Sequence, residues 1–198
     1  SIFMDNVSML DITTFRVHSC CGKVIHAKCE KDLHGSKLSY ETRNSCPMCR
    51  AKNAPEGSAE DIRRLSKWSQ KNKRWAQEML GNRYERGVGV PQDVKRAFVL
   101  FKLAADQGHH LAQFNLGIMY AKGRGVIQSN TLAAKYYELA AIQGHAKSQF
   151  NVGVYYACGK GVEQSNTKAR EWWTKSATQG EENAIANLKI LDKKEGKT

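Results

Sequence analysis

The chain repeats itself with a period of 36 residues, and this repeat limits its fold more than any other feature. Three full copies fall between residues 76 and 181, and small and aromatic residue types return at fixed places in each copy. The residues that keep this register include Gly81, Gly117 and Gly153; Tyr84, Tyr120 and Tyr156; and Phe101, Tyr137 and Trp173. A repeat of this length is typical of solenoids, in which each unit buries its apolar face against its neighbour.

The sequence of each copy predicts a pair of helices. Residues 112–121 place Phe114, Gly117 and Tyr120 at helical spacing, and residues 131–143 predict the second helix of the same unit. Gly123-Arg124-Gly125 separates the two, and glycine suits the left-handed backbone that commonly ends a helix. Because paired glycines recur in every unit, they predict turns between helices rather than a phosphate-binding loop.

The period also continues beyond the three full copies. Residues 60–71 align with a second helix, with Ile62 and Leu65 as packing residues, and residues 182–192 align with a first helix that caps the stack. We therefore predict four regions: an N-terminal module over 1–55, a basic linker helix over 56–75, three repeats over 76–181, and a capping helix with a polar tail over 182–198.

Composition excludes several classes of protein. The 198 residues carry 31 Lys and Arg against 19 Asp and Glu, a formal net charge of +12, and 41% of them are hydrophobic. A wholly disordered chain would contain far fewer apolar residues at this charge. No apolar run approaches the ~20 residues of a membrane-spanning helix, so we expect no membrane span.

The repeat resembles the Sel-like repeat, a tetratricopeptide-related helical hairpin. The match is clearest in Leu116-Gly117-Ile118-Met119-Tyr120, in Gly123-Arg124-Gly125-Val126 and in Ala140-Ala141-Ile142-Gln143-Gly144. The resemblance implies a mostly α fold, a right-handed α-solenoid whose concave surface is lined by the first helices. It also implies an adaptor that binds proteins or peptides on that surface, with no enzyme activity in the repeats.

Two repeat positions are candidates for recognition. Asn115, Asn151 and Asn187 recur beside packing residues, and in related solenoids an asparagine at this place contacts the backbone of a bound peptide. The alternative is that each amide bonds carbonyls of the adjacent loop. Arg83, Met119 and Tyr155 share a second position, for which we expect tolerated surface residues rather than residues that tune specificity.

Cysteine and histidine concentrate near the N-terminus. Cys46-Pro47-Met48-Cys49 has the spacing of a zinc knuckle, and His26-Ala27-Lys28-Cys29 has the same spacing with one nitrogen ligand. A redox-active pair is the alternative, but it expects a thioredoxin-like context that the flanking sequence does not provide. The cluster therefore predicts bound zinc in a reducing compartment, the cytoplasm or the nucleus. Cys158 stands alone and is read as a free thiol.

Residues 21–50 resemble the later part of a RING-type zinc finger. The resemblance implies that His26 and Cys29 form the third ligand pair, that Cys46 and Cys49 form the fourth, and that Cys21 belongs to the second. Lys23 stands where the family has a histidine, so Cys20 is the expected replacement and His18 a reserve. The first pair is missing, and we expect either a Cys-x-x-Cys upstream of Ser1 or a finger with one zinc.

Three function classes follow. A RING-like module implies a ubiquitin ligase that binds a ubiquitin-conjugating enzyme, with Arg50 restraining ubiquitin, while the solenoid recruits the substrate. The alternative is a non-catalytic α-solenoid scaffold. The third class is a nucleic-acid binder that uses the basic residues between 63 and 74, but the register turns these cations to solvent, so nucleic acid is the least favoured partner.

Overall fold

The computed structural model describes residues 54–196, together with the backbone of residues 15–17 and 24–26. Two short strands, β1 (Phe15–Val17) and β2 (Val24–His26), pair antiparallel with Phe15 opposite His26. Within residues 54–196 the helices are α1 (Ala59–Gln70), α2 (Arg74–Arg86), α3 (Val94–Asp106), α4 (His110–Lys122), α5 (Asn130–Ile142), α6 (Ala146–Cys158), α7 (Asn166–Ala177) and α8 (Glu182–Lys194). α8 is two residues longer than predicted and includes Lys193 and Lys194.

The helices form hairpins, with α2, α4 and α6 as first helices and α3, α5 and α7 as second helices. α1 packs on α2 in the manner of a second helix, and α8 packs on α7 as a first helix. Each first helix of a hairpin ends at a glycine in the left-handed conformation, for example Gly123 with φ 65°. The repeated glycines are therefore turns between helices, as predicted.

Second helices begin with a side-chain cap. Ser58, Asp93, Ser129 and Ser165 each accept a hydrogen bond from the backbone N–H three residues later. Such a bond satisfies one of the free donors in the first turn and stabilises a helix by roughly 1 kcal/mol. The caps recur with the repeat, so every hairpin turns at an equivalent place.

An aromatic ring of each second helix lies directly on a glycine of its first helix. A Cβ atom added to Gly81 would lie 2.7 Å from the ring of Phe101. The corresponding distances are 2.5 Å from Gly117 to Tyr137 and 2.4 Å from Gly153 to Trp173. These three rings are buried. Glycine is therefore required because any side chain would push the second helix away.

Buried glutamines join three helices at once. Gln143 Nε2 donates to Gln113 Oε1 at 2.7 Å, and Gln113 Nε2 donates to the carbonyl of Ala105 at 3.3 Å. Gln179, Gln149 and Ala141 repeat this arrangement one unit later. The first bond closes a hairpin and the second ties it to the preceding unit. Sequence reasoning missed these glutamines, although Gln77, Gln113 and Gln149 keep the 36-residue register.

Our prediction for Arg83, Met119 and Tyr155 was wrong, because all three side chains are buried rather than at the surface. Each faces the second helix of the preceding unit. Arg83 Nε bonds Asp61 Oδ2 of α1 at 3.0 Å, and Tyr155 packs edge-on against Tyr137 of α5 with ring centroids 5.5 Å apart. The residue type at this position therefore follows the neighbour that it meets.

The ring-on-glycine contact can be tested with Gly117→Ala. The added methyl group overlaps the buried ring of Tyr137, and overpacking of this kind costs about 1–3 kcal/mol, more than the ~1 kcal/mol that alanine gains in helix propensity. Urea unfolding should therefore show a lower free energy of unfolding. In the Tyr137→Leu background the same change should cost less, and equal costs in both backgrounds would contradict the contact.

Candidate protein-binding surface

The first helices carry a set of partly buried and exposed side chains at the margin of the core. We define this first-helix face by three rows of residues that recur every 36 positions. The first two rows are named for the side chains of most of their members, and the third for its place at the helix ends. The amide row is Met79, Asn115, Asn151 and Asn187; the apolar row is Asn82, Ile118, Val154 and Ile190; the end row is Arg86, Lys122, Cys158 and Lys194. Spacings of three and four residues place the rows on one side of each helix. None of the twelve side chains is fully buried.

Neighbouring first helices are linked by one hydrogen bond and by shared core clusters. Asn115 Nδ2 of α4 donates to Asn82 Oδ1 of α2 at 3.3 Å. Ile118 of α4 packs against the cluster that contains Val152 of α6. Val154 packs in turn against the cluster that contains Ala184 of α8. The rows therefore run across all four first helices.

The predicted asparagines share this surface but differ in their contacts. Asn115 uses its amide on Asn82, whereas the side chains of Asn151 and Asn187 have no hydrogen-bond partner within residues 54–196. None of the three donates to a carbonyl of the adjacent loop in this part of the chain. The loop bonds of the alternative are therefore not found among residues 54–196, and Asn115 has a different partner, Asn82. Their role in binding stays a prediction.

Glu78 is a buried carboxyl beside the amide row. Its Oε1 accepts a hydrogen bond from Asn82 Nδ2, so Glu78, Asn82 and Asn115 form a chain across α2 and α4. Burial raises the pKa of Glu78 to about 7, although the bond from Asn82 and the nearby Arg83 act in the opposite direction. Glu78 therefore carries only part of a negative charge near neutral pH.

Three histidine rings lie close together at the junctions between the second helix of one unit and the first helix of the next. The ring centroids of His109 and His110 are 5.7 Å apart, and those of His110 and His145 are 5.6 Å apart. Burial lowers the pKa of His109 and of His145 to about 4, so both are neutral near pH 7. No group of three or more potential ligands in the described part of the chain could hold a metal ion.

Ion pairs and backbone contacts occupy several of the basic residues between 63 and 74. Arg63 and Arg64 both bond Glu60, and Arg74 Nη1 donates to the carbonyl of Gln107 at 3.0 Å. Lys71 Nζ lies 5.2 Å from the centroid of the Trp68 ring. Glu60 therefore offsets one of the three positive charges that α1 itself carries.

The predicted zinc ligands fall almost entirely outside the described residues. Cys20, Cys21, Cys29, Cys46 and Cys49 lie there, as does Arg50, and of His26 only the backbone in β2 is described. Cys158 lies on the first-helix face as an exposed free thiol, as predicted. Among the helices of the described residues, none is long and apolar enough to cross a membrane.

Comparison with known proteins identifies the repeats. The family model described as Sel1 repeat matches residues 76–109, 110–145 and 146–181. A Sel1 repeat protein from Oxalobacter formigenes is 37% identical over 66% of this chain and 98% of that one, with a TM-score of 0.63. No curated protein matches the chain.

Two further structures share the fold. A protective antigen of uropathogenic Escherichia coli that displays an SLR fold is 29% identical, with a TM-score of 0.67, over 73% of this chain. The match spans only 30% of the antigen. Helicobacter pylori cysteine rich protein B is 22% identical over 65% of this chain and 92% of that one, with a TM-score of 0.52, and supports the fold alone.

The charge on Glu78 can be tested with Glu78→Gln. The ordinary pKa near 4.5 applies to the unfolded chain and a value of about 7 to the folded one, so the folded state binds more protons between these values. The free energy of unfolding therefore falls as the pH rises from 4.5 to 7. Because glutamine does not ionise, the variant should not lose this stability as the pH rises. Its side-chain oxygen can still accept a hydrogen bond from Asn82.

We expect urea unfolding to show Glu78→Gln about 2–3 kcal/mol more stable than the parent at pH 8 and close to the parent at pH 4. The histidines titrate in both proteins, so their effect cancels from the difference. Glu163→Gln, an exposed control, should change little at either pH. A difference that is the same at pH 4 and pH 8 would mean that folding does not raise the pKa of Glu78.

Proposed function

Because this chain belongs to the Sel1 repeat family, we propose that it is a non-catalytic scaffold that binds an extended segment of another protein on its first-helix face. Sel1 repeats mediate contacts between proteins, which agrees with the adaptor that the sequence predicts. The partner segment would cross the first helices and meet one residue of each row per unit.

One observation carries this proposal. Asn151 and Asn187 are partly buried on the face, and their side-chain amides have no partner within residues 54–196. A side-chain amide offers both donors and an acceptor, which matches the N–H and C=O groups of a peptide backbone. Val154 and Ile190 each lie one turn beyond these asparagines and offer apolar contact beside those bonds. A peptide in extended conformation exposes both kinds of group.

Asparagine substitutions test the proposal. Peptides that bind would be selected from a display library of random twelve-residue sequences on the 198-residue protein. Their affinity for Asn151→Ala/Asn187→Ala should fall about tenfold, because two neutral hydrogen bonds contribute roughly 0.5–1.5 kcal/mol each. Fluorescence anisotropy measures this, and thermal unfolding checks that the variants fold like the parent.

Asn130→Ala/Asn166→Ala is the matched control. Both residues are exposed, both keep the 36-residue register, and both begin second helices. This pair should leave peptide affinity unchanged. The proposal fails if both pairs weaken binding equally, or if the selection yields no peptide that depends on Asn151 and Asn187.

The cysteine and histidine spacing supports a second proposal for residues 1–55. We infer a RING-like zinc module in which Cys20, Cys21, Cys46 and Cys49 hold one ion, with His26 and Cys29 available for another. The paired strands β1 and β2 flank Cys20 and Cys21 in sequence. A ubiquitin ligase that uses the solenoid to recruit its substrate is the alternative function, and ubiquitin-chain formation with a conjugating enzyme would identify it.

Native mass spectrometry tests the zinc proposal. The 198-residue chain should retain one zinc ion, and Cys46→Ser/Cys49→Ser should lose it because both changes remove thiolate ligands of the same tetrahedral site. Cys158→Ser is the control and should keep the metal. Absence of zinc in the parent chain purified without chelators would contradict the proposal and leave the repeat scaffold unaffected.

A further inference from the structure

The end row gives the first-helix face a charge of one sign. Arg86, Lys122 and Lys194 are exposed cations, and no Asp or Glu occupies any of the twelve positions of the face. Arg86 bonds Glu56 at 3.1 Å, whereas Lys122 and Lys194 have no carboxylate partner within residues 54–196. Both lysines are therefore available to a ligand.

The helix dipole explains why these cations stand at helix ends. A cation near a helix C-terminus is stabilised by the helix dipole, which explains a lysine in the last turn of α4 or α8. Among residues 54–196 Lys102 pairs with Asp106 and Arg170 with Asp192, whereas most lysines, Lys95 and Lys135 among them, have no carboxylate partner. The first-helix face offers its lysines no such partner.

The spacing of the rows matches the cross-section of an extended chain. With a rise of ~1.5 Å per residue, the apolar row lies about 4.5 Å from the amide row and about 6 Å from the end row. A peptide above the apolar row would therefore have amides along one edge and cations along the other. Its apolar side chains would meet Ile118, Val154 and Ile190.

We propose that the segment bound on the first-helix face is acidic, with carboxylates that meet Lys122 and Lys194 and apolar side chains between them. This inference rests on the proposed function. Packed helices lie ~8–10 Å apart and an extended chain rises ~3.3 Å per residue, so one unit spans about three peptide residues. Lys122 and Lys194 are two units apart, which predicts acidic residues about six positions apart.

The peptide selection tests this directly. Sequences selected at physiological salt on the parent protein should be enriched in Asp and Glu at least twofold over the input library. Selection on Lys122→Glu/Lys194→Glu should lose that enrichment. For single selected peptides, replacing Glu by Gln should weaken binding to the parent about tenfold and to this variant less than twofold.

Lys95→Glu/Lys135→Glu is the matched control, because it changes the net charge equally but on exposed residues of the second helices α3 and α5. It should keep the enrichment. Equal losses in both variants would overturn the inference, since attraction would then come from the overall charge of +12. Neutral peptides that still depend on Asn151 and Asn187 would overturn it and leave the proposed function intact. Absence of any peptide dependent on those asparagines would overturn both.

Discussion

The contact between an aromatic ring and a glycine sets the distance between the two helices of each hairpin, and the rest of the structure depends on that distance. With Cβ positions only 2.4–2.7 Å from ring atoms, the second helix approaches the backbone of the first. This close approach brings the glutamine at the end of each second helix within hydrogen-bond reach of the glutamine in the first. In the later units the glutamine of the first helix also donates to a carbonyl of the preceding unit. Packing inside a hairpin and packing between hairpins are therefore coupled.

The N-terminal end of the stack shows how packing between units is adapted where the pattern changes. α1 takes the place of a preceding second helix, but it carries Asp61 where the later second helices carry the buried Ala97, Ala133 and Ala169. Arg83 of α2 meets this carboxylate and also bonds Glu56 at 2.8 Å. A buried cation without such partners would lower the free energy of unfolding by several kcal/mol. The burial of Arg83 therefore depends on Asp61. Met119 and Tyr155 meet apolar second helices and are apolar or aromatic themselves.

The core buries one side of each first helix, and the proposed binding face lies at its margin, where Met79, Ile118 and Val154 are only partly buried. Because the stack grows by repeating one contact, the side chains of this face line up into rows that cross four helices. A ligand can then meet the same geometry several times with different side chains, such as Asn82, Ile118 and Val154 in one row. This arrangement suits an extended segment better than a small molecule, since the face is a broad surface of partly buried side chains. Partner choice would follow from the side chains in these rows while the packing beneath them stays constant.

The 36-residue period was enough to predict the hairpins, their glycine turns and the helices at both ends, because each of these features depends on local backbone preferences that repeat with the sequence. Ring burial was also predictable, since aromatic residues at helical spacing pack inward. The burial of Arg83, the glutamine bridges and the lack of a partner for Asn151 and Asn187 within residues 54–196 were not predictable. Each depends on which side chain another unit places opposite it, roughly 20 to 36 residues away in sequence. The sequence therefore determined the repeating unit, and only the tertiary structure decided which polar groups of residues 54–196 bond one another within the stack and which do not.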